Sequence, residues 1–267
     1  MSFTTITKNG VQYLACDAVC AVHGFSTRHG GVSDGYIGSM NLSYTRGDDH
    51  DRVLENHRLF AEAVGYPMER LVSSRQVHGD TIHIADESDF GKASRSELDY
   101  ESDGLMTDKP GIPLMILTAD CCPVLLFDPV RKAAAAVHAG WRGTALGIAG
   151  KAVREMVREY GCKSENIIAA IGPCISKCCF ETDSDVPDAM EKGLGSGAER
   201  FITQSKDKYH VDIKGINAEF LRREGVTNIH ITDQCTACDT DRYFSHRKMG
   251  EKRGSLASVI MIPEVDK

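Results

Sequence analysis

Short apolar runs alternate with amphipathic stretches along most of the chain. The runs at residues 113–119, 124–127, 132–138 and 167–171 fit buried strands, because each is short and bounded by turn residues. Residues 143–160 carry apolar side chains three or four positions apart, which predicts a helix that ends at Gly161. Further helices are predicted at 49–64, 185–192 and 212–223, the first capped by Asp48 or Asp49 and ended by Gly65.

Four more strands are predicted, at residues 70–78, 80–86, 228–232 and 256–262. Residues 88–102 are polar and predict a surface loop, and residues 193–200 predict a mobile one. Many predicted strands follow each other through tight turns, which favours an α+β fold of mixed sheets and packed helices over a regularly wound α/β sheet. Without a visible linker or repeat, the pattern indicates a single domain over residues 1–267.

Net charge and apolar run length exclude several classes of partner. The formal net charge is −7, which argues against nonspecific nucleic-acid binding, because that needs a basic face. The longest apolar stretch, at 112–119, is too short to cross a membrane. The N-terminal residues do not resemble a signal peptide, so we expect a cytoplasmic protein. Its ten cysteines are then expected to be reduced thiols, metal ligands or catalytic groups rather than disulfides.

Three segments end in polar residues where a predicted strand meets a turn. They are Gln76-Val77-His78, Ala119-Asp120-Cys121 and His138-Ala139-Gly140-Trp141. A rigid sheet can aim such side chains into a shared cleft. A thiolate and two neutral imidazoles leave the fourth tetrahedral position of zinc open, as in catalytic zinc sites. His78, Cys121 and His138 are therefore the candidate metal ligands, and Asp120 is a candidate to orient a ligand imidazole.

Other interpretations of these residues stay open at this point. His78 can be a turn residue and Cys121 a small buried hydrophobic residue. A second chemical hypothesis makes Cys121 a nucleophile and His138 its general base, without a metal. The spacing of 43 and 17 residues between the three side chains does not separate these hypotheses, because no short metal motif is present.

Two other features indicate possible ligand contacts. Arg142 lies in a glycine-flanked turn before a predicted helix, which suits an anion such as phosphate, although it can equally pair with a surface carboxylate. Cys235-Thr236-Ala237-Cys238 has the spacing of a redox motif or of zinc ligands. Because its approach to Cys174, Cys178 and Cys179 depends on the fold, free thiols are the default interpretation.

The same segments carry a family resemblance that spans nearly the whole chain. The chain resembles proteins known first as bacterial polyphenol oxidases or laccase-domain proteins and later as zinc-dependent purine nucleoside phosphorylases. The matching stretches are 27–33, 40–42, 47–49, 55–58, 76–78, 103–105, 118–121, 138–143, 171–175, 235–236 and 244–247. The resemblance implies zinc ligands at His78, Cys121 and His138, with Cys121, His138 and Asp120 as the catalytic candidates. Candidates for substrate contact, taken from these stretches, are Asn41, Arg58, Gln76, Arg142, His246 and Arg247.

The resemblance also implies an activity and a fold. The implied reaction is phosphorolysis of adenosine, inosine and methylthioadenosine, with deamination of adenosine, so purine nucleoside and phosphate are the expected partners. The implied fold is shared with toxin-type cysteine hydrolases, which keeps the thiol hypothesis open. Copper is the alternative cofactor, with polyphenol oxidation as its activity. However, multicopper chemistry needs many more histidines than one His₂Cys set, and the ten histidines here form no His-x-His pair.

Overall fold

The computed structural model describes residues 2–91 and 100–264. Within them, fourteen strands form three sheets. The strands are β1 (Phe3–Lys8), β2 (Val11–Cys16), β3 (Val22–Ser26), β4 (Ile82–Ile84), β5 (Gly104–Thr107), β6 (Leu114–Thr118), β7 (Cys122–Asp128), β8 (Ala133–Ala139), β9 (Ile168–Ile171), β10 (Glu181–Thr182), β11 (Ile202–Ser205), β12 (Lys208–Val211), β13 (Asn228–Ile231) and β14 (Leu256–Met261). The predicted polar loop at 88–102 lies largely outside the described residues.

Two of the sheets pack face to face. One has the strand order β1-β2-β3-β14-β6 and the other the order β13-β9-β7-β8-β5-β4. The second sheet is mixed, because β13 pairs with β9 and β4 pairs with β5 in parallel, while its other pairs are antiparallel. A small third sheet has the order β10-β12-β11.

The alternation of side chains along a strand places residues of β7 and β8 in two different cores. Leu125 and Ala136 point into the core between the two large sheets, with Phe25 and Ile116 of the facing sheet. Val124, Ala135 and their neighbours point the other way, into a core with the helices. The small alanines of β8 allow close approach on both faces, which explains a run that is unusually rich in alanine.

Six α-helices lie in the described residues. They are α1 (His50–Val64), α2 (Trp141–Ala145), α3 (Ile148–Tyr160), α4 (Asp185–Leu194), α5 (Ile213–Arg223) and α6 (His246–Met249). Helix α1 packs on the outer face of the first large sheet, where Phe60 and Ala61 meet Met115 and Val259. Helices α3 and α5 pack on the outer face of the second. The mixed sheets with packed helices confirm the α+β prediction.

Two predicted elements differ from the structure. The helix predicted at 143–160 is split into α2 and α3 at Gly147, whose φ of 72° ends one helix and starts the other. The strand predicted at 70–78 is irregular, with isolated bridges at Val72 and Arg75 only. Its polar end turns away from the sheet toward the site described below. Among the described residues, no helix combines the length and apolar character needed to cross a bilayer.

Candidate metal centre and its cavity

The structure brings the three candidate ligands together. The ligand atoms of His78, Cys121 and His138 all lie within 4.8 Å of one another, and the two imidazole rings meet edge to face with centroids 4.9 Å apart. Donor atoms around one tetrahedral zinc ion are separated by roughly 3.3–3.8 Å, given metal bonds of about 2.0–2.3 Å. Residues 43 and 17 positions apart in sequence therefore converge on a space of the size of one metal ion.

A buried carboxylate, Asp103, holds two of these ligands in place. Its Oδ1 accepts a hydrogen bond from His138 Nδ1 at 2.7 Å, so the other ring nitrogen, Nε2, is left as the candidate ligand atom. The same carboxylate accepts from the backbone N–H groups of Val77, His78 and Gly79, at 3.2, 3.0 and 2.7 Å. Burial opposes ionisation of Asp103, but the hydrogen bonds from His138 and Gly79 outweigh it and lower its pKa.

Close backbone packing leaves no room for other residues beside the ligands. A methyl group added to Gly140 would lie 2.5 Å from His78 Nδ1 and 3.4 Å from Cys121 Sγ. His78 itself adopts a left-handed backbone conformation with φ of 61°. Such a conformation is costly for a residue other than glycine, and the three hydrogen bonds to Asp103 hold this turn in place.

The environment favours a charged thiolate and imidazolium when no metal is bound. Burial opposes ionisation of Cys121, but the charge of His138 and hydrogen bonds from His138 and His78 lower the pKa of Cys121 to about 6. Burial likewise opposes the charged form of His138, but the charge of Cys121 and the hydrogen bond to Asp103 raise its pKa to about 9. A cysteine must be deprotonated to bind a metal or to act as a nucleophile, so both hypotheses draw on this arrangement.

The three ligands line a cavity of about 1040 Å³. Its wall contains the aromatic side chains Trp141 and Phe180, and the guanidinium of Arg142 stacks 4.2 Å from the centre of the Trp141 ring. Five arginines also line it: Arg46, Arg75, Arg142, Arg247 and Arg253. Four carboxylates line it too, those of Asp120, Glu181, Asp183 and Asp185, so its wall carries charge of both signs. The guanidinium groups are its contacts for an anionic ligand.

Several predicted substrate-contact residues lie at this cavity. Gln76, Arg142, His246 and Arg247 all line it. The Gln76 side chain is fixed by two hydrogen bonds to the backbone of Leu117, at 2.7 and 2.8 Å. Arg142 forms no ion pair with any residue of 2–91 or 100–264, so the surface-pair interpretation of this arginine finds no support there.

Two other candidates lie away from the cavity wall. Arg58 is exposed on α1 and forms ion pairs with Glu55 at 2.7 Å and Glu62 at 3.2 Å. Asn41 is fully buried and uses its side chain within the protein, where it binds the backbone of Ser43 and the carboxylate of Asp48. Neither side chain reaches the cavity wall, because helical spacing pairs Arg58 with its own helix and Asn41 supports a loop. Substrate contact by Arg58 and Asn41 stays a prediction, and the cavity gives it no support.

Asp120 occupies a different position from the one its sequence suggested. Its carboxylate accepts hydrogen bonds from Thr236 Oγ1, Ser245 Oγ and the backbone N–H of Arg247, at 2.6, 3.0 and 2.7 Å. The carboxylate that orients a ligand imidazole is Asp103, not Asp120. Asp120 instead fixes the start of α6, which carries His246 and Arg247 into the cavity.

Sequence reasoning missed Arg253 as well as the role of Asp103. Arg253 is buried, lines the cavity and donates from Nε to His246 Nδ1 at 3.2 Å. Burial, followed by the nearby charge of Arg46, lowers its pKa. The sequence signal for Asp103 is an acidic residue directly before a buried strand. No feature of the neighbouring sequence indicates that the partner of Asp103 is His138.

These features define a candidate metal centre at the base of an arginine-lined cavity, on a mixed two-sheet α+β fold. The chain belongs to the family described as multi-copper polyphenol oxidoreductase laccase, whose model matches residues 22–263. It is 37% identical over 249 residues to the purine nucleoside phosphorylase YlmD of Geobacillus stearothermophilus, covering 90% of this chain and 89% of that protein. It is also 35% identical to the purine nucleoside phosphorylase of Bacteroides thetaiotaomicron, with 90% and 91% of the two chains covered.

A solved structure supports the same relationship. The crystal structure of YlmD from Geobacillus stearothermophilus matches with a TM-score of 0.93 at 35% identity, covering 98% of this chain and 99% of that chain. The family resemblance carried by the sequence stretches is thereby confirmed.

Proposed function

We propose that this chain, acting as a single domain, is a zinc-dependent purine nucleoside phosphorylase. The observation that carries the proposal is the convergence of His78, Cys121 and His138 at the base of a cavity lined by five arginines. The names of the two relatives support the reaction class. The proposed substrates are adenosine, inosine and methylthioadenosine, with deamination of adenosine as a side activity and the cytoplasm as its location.

The residues fit zinc in their chemistry and in their surroundings. Two imidazoles and one thiolate leave a coordination position open toward the cavity, and Asp103 fixes the tautomer of His138. The lowered pKa of Cys121 favours the thiolate that a metal requires. When bound, zinc supplies a Lewis acid beside the reacting nucleoside.

Arg253, Arg46 and His246 are the proposed phosphate contacts. Arg253 lies beside His246, and Arg46 Nε is buried without a hydrogen-bond partner in the described part of the chain. Guanidinium groups match phosphate oxygens in geometry and charge. Phosphate held by these donors would attack the ribose carbon that carries the base. The carbon–nitrogen bond to the purine would break, giving ribose 1-phosphate and the free purine.

The purine is proposed to lie against the aromatic wall formed by Trp141 and Phe180, with Gln76 and Arg142 at its polar edge. Flat apolar rings beside a few fixed polar groups are typical of such sites. The proposed catalytic roles of Cys121 and His138 are to hold the metal. The contacts of Asp120 support a positioning role for the residues of α6.

The test combines metal analysis with a phosphate-dependent assay. Zinc-loaded protein should release adenine from adenosine and hypoxanthine from inosine only with phosphate present, forming ribose 1-phosphate, whereas removal of phosphate should leave adenosine deamination. The zinc-free protein should do neither. Base release that proceeds equally well without zinc would refute the proposal.

A matched pair of variants tests the phosphate contacts. Arg253→Lys keeps the charge but loses the planar guanidinium, and it should raise the KM for phosphate about 10–100-fold, given about 1.5–3 kcal/mol for one charge-assisted hydrogen bond. Arg58→Lys makes the same change outside the cavity and should leave this KM unchanged. The opposite result, a raised KM for phosphate in Arg58→Lys only, would refute the assignment to Arg253.

The second candidate is a metal-independent hydrolase that resembles toxin-type cysteine hydrolases. The observation in its favour is that Cys121 contacts His138 and that His138 contacts Asp103. This arrangement resembles a nucleophile, a base and an orienting carboxylate. It predicts a covalent adduct on Cys121 in metal-free protein that turns over substrate. The copper oxidase alternative lacks a further histidine cluster among the described residues, where the potential ligand groups are the present trio and four cysteines.

A further inference from the structure

Four cysteines outside the cavity form a second cluster. They are Cys178, Cys179, Cys235 and Cys238. The first two lie in the turn that follows β9, and the other two lie in the turn that follows β13. Because β9 and β13 are parallel neighbours, their carboxyl ends lie at the same edge of the sheet, and the bridge between Cys174 and Cys235 continues their pairing. The topology thus brings together two cysteine pairs that are 56 residues apart in sequence.

The distances between the sulfur atoms fit one metal ion. Cys238 Sγ lies 3.5 Å from Cys178 Sγ and 3.3 Å from Cys179 Sγ. The sulfur atoms of Cys178 and Cys179 are 3.8 Å apart. All four sulfur atoms lie within 4.8 Å of one another. Two thiolates on one tetrahedral zinc ion are about 3.8 Å apart, whereas a disulfide would bring its two sulfurs to about 2.0 Å.

The backbone around Cys235 stabilises a thiolate. The N–H of Ser176 donates to Cys235 Sγ at 3.3 Å. Four thiolates form a soft donor set that selects zinc over hard cations such as magnesium.

We propose that Cys178, Cys179, Cys235 and Cys238 bind one zinc ion in a closed tetrathiolate site, separate from the cavity. A site with four protein ligands has no open position and is structural in character. It would fasten the turn after β9 to the turn after β13. These turns support the cavity wall, because Phe180 follows Cys179 and Thr236, between Cys235 and Cys238, donates to Asp120.

The site can be tested by counting metal ions. Cys178 and Cys238 are exposed, so the double variant Cys178→Ser/Cys238→Ser removes two ligands without disturbing the core. Protein purified under reducing conditions with zinc should lose one zinc per chain in this variant. Cys20→Ser, which alters another exposed cysteine, is the matched control and should keep the wild-type zinc content.

Cys121→Ser separates this site from the cavity site. The Cys121→Ser protein should retain the tetrathiolate zinc, and cobalt added to its metal-free form should give the strong thiolate-to-cobalt absorption of four sulfur ligands. That absorption should disappear when Cys178→Ser/Cys238→Ser is added. A chelator should also lower the melting temperature of Cys121→Ser but not of the triple variant.

Two results would overturn the proposal. One is an equal zinc content in the wild-type protein and in Cys178→Ser/Cys238→Ser. The other is a disulfide between members of the cluster in the protein purified under reducing conditions, detected by mass spectrometry. Neither result bears on the zinc at the cavity, whose loss is reported by Cys121→Ser alone.

Discussion

Replacement of Asp103 by asparagine removes one acceptor atom and one negative charge from the base of the site. In the wild-type protein, Asp103 Oδ1 accepts hydrogen bonds from His78 N and His138 Nδ1, and Oδ2 accepts from Val77 N and Gly79 N. Whichever way the amide turns, its NH₂ group faces at least one backbone N–H group, which loses its acceptor. At about 1.5–3 kcal/mol for each bond to a charged group, the free energy of unfolding of the metal-free protein should fall by at least about 1.5 kcal/mol.

The same change should weaken zinc binding. An amide oxygen at the Oδ1 position accepts from Nδ1 more weakly than a carboxylate, and an NH₂ group there removes the acceptor. In either orientation His138 is held less firmly in the tautomer that leaves Nε2 free for the metal, and loss of such outer contacts costs about 10–100-fold in affinity. Competition with a chromogenic chelator measures the affinity, and urea unfolding measures the stability. Asp80→Asn is the control, since Asp80 pairs with Lys151 near the protein surface at 2.9 Å. Unchanged zinc affinity in a folded Asp103→Asn protein would refute the assigned role.

Three further outcomes follow from the structure. Gly140→Ala should lower zinc affinity at least about 10-fold, because the methyl group displaces His78, whereas Gly150→Ala, which meets the flexible Glu224 side chain at 3.3 Å, should not. In metal-free protein, the rate of alkylation of Cys121 should rise with pH around a midpoint near 6, rather than near 8.5 as in a free peptide, and zinc should block the reaction. Burial lowers the pKa of His57 to about 4, so only the unfolded chain gains this proton between pH 6.5 and 4. Between pH 7 and pH 4.5, the free energy of unfolding should therefore fall by about 2–3 kcal/mol more in the wild type than in His57→Phe. Urea unfolding at the two pH values measures the difference, and equal losses in the two proteins would contradict the prediction.

Local sequence signals were sufficient where an element carries its own boundaries. Helix α1 begins after Asp49, whose side chain accepts from two backbone N–H groups, and it ends at Gly65 in the left-handed conformation, as the sequence predicts. The buried strands β6 to β9 follow their apolar runs closely. The edge strand β1 was missed, because none of its residues is buried and its exposed positions interrupt the apolar pattern.

Only part of the candidate site was predictable from the sequence, because local patterns do not specify tertiary contacts. His78, Cys121 and His138 were recognisable as candidates because each lies where a predicted strand meets a turn. The partners of these residues are set by tertiary contacts instead. Asp103 and His138 are 35 residues apart and meet through the pairing of β5 with β8, which no local pattern specifies. Asp120 was assigned the contact that Asp103 makes, because adjacency in sequence suggested it.

The contacts of Asp120 connect the two cysteine-containing sites. Asp120 adopts a left-handed conformation, with φ of 84°, directly before the ligand Cys121. A side chain in that conformation must be held by its surroundings, and one of the three donors that hold it is Thr236, which lies between Cys235 and Cys238. An ion at the four cysteines would therefore stiffen the turn that carries Thr236, and through Asp120 the turn that carries Cys121. The backbone conformation that aims the thiolate into the cavity thus depends on contacts that lie outside the cavity wall.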